Sequence, residues 1–183
     1  QLTSLTQDSG IIAQAMPVKS VGVKADIRSY EHPALLTGQS DWESLLKVST
    51  RVLAETADIN RCVWNLSTQA PRQMRSLAAH MTHDRLELLR EADQLVMDGL
   101  RRHGLYDVIW QCPTAMVPLE IDGLGRELVV IRPVHSERAM TARPAPLPVQ
   151  LLEELRESIS ALDGVSGVAM DLTSKPPGTI EWE

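Results

Sequence analysis

Residues 45–66 read LLKVSTRVLAETADINRCVWNL, and residues 151–172 read LLEELRESISALDGVSGVAMDL. Each stretch begins with apolar residues at helical spacing and ends in a short apolar run that is typical of a strand. A shift of 106 positions, from 66 to 172, aligns them. A unit repeated twice at so long a period indicates a duplicated domain rather than a solenoid. The alternative is a coincidence between two ordinary helix–strand units.

The residues that follow each stretch are also alike. Residues 67–71 read STQAP and residues 173–177 read TSKPP, so both have two hydroxyl residues, a long polar residue and a closing proline. We therefore expect the α+β class, with two tandem copies of a small antiparallel sheet and a packed helix, joined by a helical linker. The predicted boundaries are 1–68 for the first copy, 69–104 for the linker and 105–183 for the second copy.

Periodicity and turn residues predict the individual elements. Helices are expected over 41–57 and 85–103 and from Leu151 to Leu162, with Gly104 and Gly164 as stop signals. A hairpin is expected at the turn 123–125. Strands are expected over 16–23, 28–36, 62–66, 108–110, 116–121, 127–134 and 165–172.

Composition narrows the functional classes. The chain is 43% hydrophobic and carries a net charge of −6, which argues against a general nucleic-acid binder but allows a local basic pocket. No apolar run is long enough to cross a bilayer. Cys62 and Cys112 are interpreted as buried thiols of a reducing cytosol, so we expect a cytoplasmic protein without membrane or nucleic-acid partners. His80 and His83 have a metal-like spacing but no third ligand nearby, and no metal site is predicted.

The two copies differ where charge would serve binding. The tail, TSKPPGTIEWE (173–183), carries Lys175 before two prolines that restrict the backbone. The first copy has neutral Gln69 at that position but contains Asp26 and Arg28, which share one face of a strand. Lysine offers a point charge and arginine a bidentate fork for a phosphate. Each half thus holds part of a possible anion site; the alternative is a surface ion pair and an unengaged surface lysine.

Several segments closely resemble the carboxyl end of glutamine-hydrolysing GMP synthases. They are the tail, VIRPV (130–134), MTA (140–142) and the first-copy stretch PVKSVGV (17–23) with Asp26 and Arg28. The resemblance extends over essentially the whole chain, and its two-copy layout is that of the longer members. Shorter members carry one copy and dimerise through it.

That resemblance implies a function. The family makes GMP from XMP, ATP and glutamine, forming a C–N bond with ATP and Mg. Its glutaminase triad and its Ser-Gly-Gly-x-Asp-Ser loop are not visible in this sequence. The chain is therefore expected to be the carboxyl-terminal part alone, with no cofactor of its own and no turnover by itself. Its expected partners are XMP and the glutaminase and ATP pyrophosphatase domains of the parent chain.

The resemblance also implies site residues. No catalytic residue is expected in this segment, and the fragment is expected to be monomeric through pairing of its two copies. The alternative is a purely structural assembly module whose binding residues are vestigial. The first hypothesis is that the segment completes the XMP pocket of the parent enzyme and holds an internal pseudo-dimer. Under it, the residues that bind XMP are Lys175, Arg28, Asp26, Gln111, Ile180 and Glu181.

Overall fold

A computed structural model describes residues 2–7, 9–24 and 27–182. Within its helices and strands it describes all of the side chains except two. It contains both helices and a multi-stranded sheet, which confirms the α+β class. In chain order the elements are α1 (Leu2–Leu5), β1 (Ile12–Ala15), β2 (Ser20–Lys24), β3 (Ile27–Thr37), α2 (Trp42–Glu55), β4 (Ile59–Asn65), β5 (Met74–Ser76), α3 (His83–Arg102), β6 (Thr114–Val117), β7 (Leu119–Ile121), β8 (Glu127–Ile131), β9 (Val134–His135), β10 (Arg143–Pro144), α4 (Val149–Ser160) and β11 (Val165–Asp171).

The two copies share one sheet, in the strand order β1-β3-β4-β11-β8-β6, with β2 forming a ribbon on β3. Pairing within each copy is mixed rather than wholly antiparallel. The outer pairs β1–β3 and β6–β8 are antiparallel, whereas β3–β4 and β8–β11 are parallel. The cause is the crossover helix, α2 or α4, which returns the chain to the starting end of the preceding strand.

A pseudo-two-fold axis passes between the central strands β4 and β11. The antiparallel register places Trp64 opposite Met170, two residues that the 106-position shift makes equivalent. Around them the hydrogen bonds are symmetric, because Leu66 N donates to Val168 O at 3.0 Å and Leu172 N donates to Cys62 O at 2.9 Å. The two copies recognised in the sequence thus have the same topology in the structure. The boundaries proposed near residues 68 and 104 remain a prediction.

The helices cover one face of the sheet, and their apolar stripes form the larger cores. Leu45 of α2 and its equivalent Leu151 of α4 are both buried. The linker helix α3 packs against α4 so closely that a Cβ at Gly99 would lie 2.8 Å from Leu151 Cδ1. Asp41 caps α2 by accepting the Ser44 amide at 3.0 Å. The main helices therefore begin and end within two residues of the predicted limits.

Four strand predictions need correction, those for 16–23, 108–110, 116–121 and 127–134, the last of which ends at Ile131, with residues 132–133 separating β8 from β9. Residues 108–110 form turns after α3 instead of a strand, since the amides of Val108 and Ile109 both bond back to Leu105 O. Pro118 divides the predicted strand 116–121 into β6 and β7. The turn 123–125 therefore joins β7 to β8 without a simple hairpin, because β8 pairs with β6 and β7 pairs with β5. Residues 17–19 likewise form a bend before β2.

None of the helices within the described ranges combines the length and the apolar character needed to cross a bilayer.

Candidate anion-binding site

The tail is anchored to the body of the protein at successive points. Thr173 Oγ1 accepts the Cys62 amide at 2.9 Å. Lys175 and Ala142 exchange backbone hydrogen bonds of 2.8 and 3.2 Å, and Pro177 O accepts the Val23 amide at 2.7 Å. The bonds on both sides of Pro176 are cis. The tail is therefore part of the fold up to Trp182, the last residue that the structure describes.

Lys175 lies on a cleft that is rich in basic side chains. Its Nζ donates to Ala139 O at 2.8 Å, which uses one of its three donors and leaves two for a ligand. The cleft measures about 960 Å³ and is also lined by Arg138, Arg143, His135 and the acidic Glu137, so that its three cations outnumber its one carboxylate. The cleft therefore carries positive charge, although the chain as a whole has a net charge of −6. Such a cleft suits an anionic group.

Two further predicted residues lie around the same segment, 133–144. Gln111 forms a bridge with Val134, whose amide donates to Gln111 O at 2.8 Å, and the Gln111 side chain is exposed. Ile180 packs in a small buried cluster with Val134 and Ala142 and is 2% exposed. A ligand contact by Ile180 therefore requires its backbone rather than its side chain. Glu181 follows with an exposed side chain, but it lines a different cleft, together with Lys19 and Met116.

Arg28 approaches the tail from the other copy. It pairs with Val23 in the ribbon of β2 and β3, and the Val23 amide is bonded to Pro177. Pro177, Val23 and Arg28 thus lie on three adjacent backbone segments, with about 10 Å between the outer two at ordinary strand spacing. Within the described residues no hydrogen bond joins the Arg28 guanidinium to the tail. Asp26 lies outside the described residues.

A buried charge cluster beneath the tail was missed in the sequence. Arg61 Nη1 lies 2.6 Å from Asp171 Oδ2, and Arg132 Nη1 lies 2.8 Å from Asp171 Oδ1. Trp182 Nε1 donates to Asp171 Oδ2 at 2.8 Å, and the Arg61 guanidinium lies 4.6 Å from the centre of the Trp182 ring. The available signal was a single charged residue in each central strand, Arg61 in β4 and Asp171 at the end of β11, since a charge in a buried strand needs a buried partner.

The cluster contains two cations and one anion. Burial alone would raise the pKa of the Asp171 carboxyl, but Arg132 and then Arg61 hold that pKa below its usual value. Burial lowers the pKa of the Arg132 guanidinium, and the attraction of Asp171 opposes this shift without cancelling it. Among the described residues, no hydrogen-bond acceptor reaches Arg61 Nε, Arg132 Nε or Arg132 Nη2. The cluster is therefore positive overall.

No group of three metal-ligating side chains is found in the part of the chain that the structure describes. His80 precedes α3 and His83 is its first residue; both are exposed.

Comparison with known proteins points to one family. Residues 98–182 match the family described as "GMP synthase C terminal domain". A probable glutamine-hydrolysing GMP synthase of Leptospira interrogans is 36% identical over 181 residues, or 97% of this chain and 30% of the relative. The GMP synthase of Leifsonia xyli is 44% identical over 115 residues, or 58% of this chain and 23% of its own length. That of Thermobifida fusca is 40% identical over 129 residues, or 66% of this chain and 24% of its own length. The chain thus spans less than a third of each relative.

Proposed function

We propose that this chain, whose residues 98–182 match the GMP synthase C-terminal domain family, is the carboxyl-terminal segment of a glutamine-hydrolysing GMP synthase and completes its XMP pocket. The observation that carries the proposal is the basic cleft at Lys175, where an ammonium with two free donors lies among arginine side chains. XMP brings a phosphate, the ligand that such a cleft suits.

Each residue of the proposed pocket has a role that its chemistry supports. Lys175 provides the point charge for the XMP phosphate, and Arg28 of the first copy adds a bidentate contact. Asp26 is proposed as a further acceptor for XMP. Gln111, which bridges to Val134, and Glu181, which follows Ile180, both have exposed side chains and offer hydrogen bonds to the purine or ribose. Ile180 contributes its backbone. These groups bind and orient XMP, whereas bond formation belongs to other parts of the enzyme.

The proposal assigns the remaining chemistry to the rest of the parent enzyme. ATP and Mg are used by its ATP pyrophosphatase domain, and ammonia comes from its glutaminase domain. This segment alone is expected to show no turnover. The second part of the proposal is that the two copies form an internal pseudo-dimer, which the shared sheet and the pairing of β4 with β11 support. We expect the isolated chain to be monomeric.

The test uses the parent enzyme with Lys175→Gln and Arg28→Gln variants. Loss of one charged hydrogen bond, worth about 1.5–3 kcal/mol, should raise the KM for XMP roughly tenfold or more and leave the KM for ATP unchanged. Lys47→Gln is the matched control, because Lys47 is an exposed lysine of α2 that pairs with Glu43. Unchanged XMP dependence in both variants, with altered association only, would instead support a purely structural assembly module.

A further inference from the structure

The same turn follows the central strand of each copy. After β4, Asn65 Oδ1 accepts the Ser67 amide at 3.0 Å; after β11, Asp171 Oδ1 accepts the Thr173 amide at 2.8 Å. In both turns a side-chain oxygen accepts a hydrogen bond from the backbone amide of the second residue after it, which is how Asn or Asp usually stabilises such a turn. The first copy shows that the turn forms with an uncharged residue.

The neighbour of this turn residue is also uncharged in the first copy. Asn65 Nδ2 donates to Thr37 Oγ1 at 3.3 Å, whereas Asp171 pairs with Arg132 at 2.8 Å. Leu36 pairs with Trp64 in the first copy, and Ile131 pairs with Met170 in the second. Thr37 and Arg132 directly follow Leu36 and Ile131, so they occupy equivalent places. The molecule therefore contains a neutral version and a charged version of one arrangement. The charge is not needed to build it.

The charged version instead reaches the tail. Arg132 Nη1 donates to Thr173 O at 3.0 Å, and Arg61 donates to Thr179 O at 3.2 Å and to Thr179 Oγ1 at 3.0 Å. These contacts lie on either side of Lys175, and both arginines share the carboxylate of Asp171. In the first copy the chain leaves in another direction, because the amides of residues 72 and 73 bond to Asp122. The neutral pair holds its following segment at one point, where Asn65 Nδ2 donates to Gln69 O at 3.2 Å, whereas the charged cluster contacts the tail before and after Lys175.

We propose that Arg61, Asp171 and Arg132 are positioning residues of the anion-binding site, an inference that rests on the function proposed above. The two guanidinium groups clamp the tail before and after Lys175, and Asp171 locks them to each other. The ammonium of Lys175 is thereby held over the cleft before XMP arrives. Preorganisation of this kind strengthens binding because less freedom is lost when the ligand is bound.

The test replaces the charged pair by the neutral pair of the first copy, in an Arg132→Thr/Asp171→Asn double variant. Arg61 keeps three neutral acceptors, two on Thr179 and the Val21 carbonyl at 3.0 Å. The direct readout is the rate at which a small amine-acylating reagent modifies Lys175, measured by peptide mass spectrometry with exposed Lys47 as the internal reference. We expect the rate at Lys175 to rise severalfold toward that of Lys47. Thr37→Val, which disturbs the equivalent pair in the first copy, should leave it unchanged.

The second readout is the KM for XMP in the parent enzyme carrying the double variant, which should rise about tenfold, equivalent to losing one well-placed charged contact. A folded double variant with unchanged acylation of Lys175 would overturn the proposal. Loss of cooperative melting would also overturn it, because the charges would then serve the core rather than the tail. A Lys175→Gln variant with normal XMP dependence would refute the proposed function itself, while the acylation rate would still test the clamp.

Discussion

Gly22 of β2 and Gly178 of the tail form a backbone bridge between the first copy and the tail. A Cβ on Gly22 would lie 2.8 Å from Pro177 O and 2.9 Å from Asn60 Nδ2. Neither neighbour is the far end of a flexible side chain, because the carbonyl is backbone and the Asn60 amide is fixed by a hydrogen bond to Ser20 O at 2.8 Å. Glycine is therefore required where the ribbon meets the tail.

Gly22→Ala is expected to lower the free energy of unfolding by about 1–3 kcal/mol, the usual cost of forcing extra volume into a packed region. The matched control is Gly167→Ala in β11, where a Cβ would be 3.5 Å from its nearest neighbour, an ordinary contact. That change should be neutral or slightly stabilising, because alanine restricts the unfolded chain. Urea midpoints of the two variants measure the difference. Equal midpoints would show that the ribbon and the tail are not held together in solution.

Asp171 should make stability depend on pH in the acid range. Its pKa is lowered in the folded protein, so its contribution is fully present above the pKa of the unfolded chain and is lost as pH falls through the folded value. We expect the urea midpoint of the wild type to fall steeply below about pH 4. In the Asp171→Asn variant the midpoint should start lower, by an amount that reflects an unpaired buried charge, and show a shallower acid decline.

The control for this titration is Asp41→Asn, which removes the exposed cap of α2. The hydrogen bonds of Ser44 lower the pKa of the Asp41 carboxyl too, but Asp41 is exposed, so its removal should reduce the acid decline much less than Asp171→Asn does. If the Asp171→Asn variant kept the full acid dependence of the wild type, other carboxylates would be responsible for it.

The ion pair between Arg85 and Glu127 should contribute measurable stability. Arg85 Nε and Nη2 donate to the two carboxylate oxygens at 2.7 and 2.8 Å, and the side chains are 28% and 12% exposed. A double-mutant cycle with Arg85→Gln and Glu127→Gln is expected to give a coupling of about 1–2 kcal/mol, in the range for partly buried charged hydrogen bonds.

The exposed pair of Lys47 and Glu43 is the control for that cycle. Its atoms are equally close, at 2.8 Å, but both side chains are more than 70% exposed. Water and salt screen such a pair, so we expect no measurable coupling. Equal coupling in the two cycles would contradict the argument that burial decides the outcome.

Both cysteines should be unreactive in the native protein. Cys62 and Cys112 are free and buried, and burial raises the pKa of each thiol to about 12. Because the thiolate is the reactive form, a chromogenic disulfide reagent should titrate neither thiol at neutral pH. Addition of urea past the unfolding midpoint should release two thiols per chain. Rapid reaction of either thiol without urea would show that its part of the core opens readily.

The elements were predictable to the extent that their signals are local. The cap at Asp41, the apolar stripes that begin at Leu45 and Leu151, and the stop at Gly104 act within a few residues, so the helix ends were placed closely. The strand predictions were less accurate. The interruptions at Pro17 and Pro118 follow from a local effect of proline that the strand predictions did not apply. The choice of β6 rather than β7 as the partner of β8, by contrast, depends on segments far away in sequence.

For the site, the chain by itself determined the ingredients: a duplicated unit, a proline-restricted tail with Lys175, and an arginine at position 28 in the other copy. Only the tertiary structure decided which charges meet. Arg61 and Asp171 are 110 positions apart and pair because the register of β4 against β11 places them under the tail. Local sequence carries no record of that register, since it results from packing both copies into one sheet. Once the two charges are buried there, neither has water as an alternative partner.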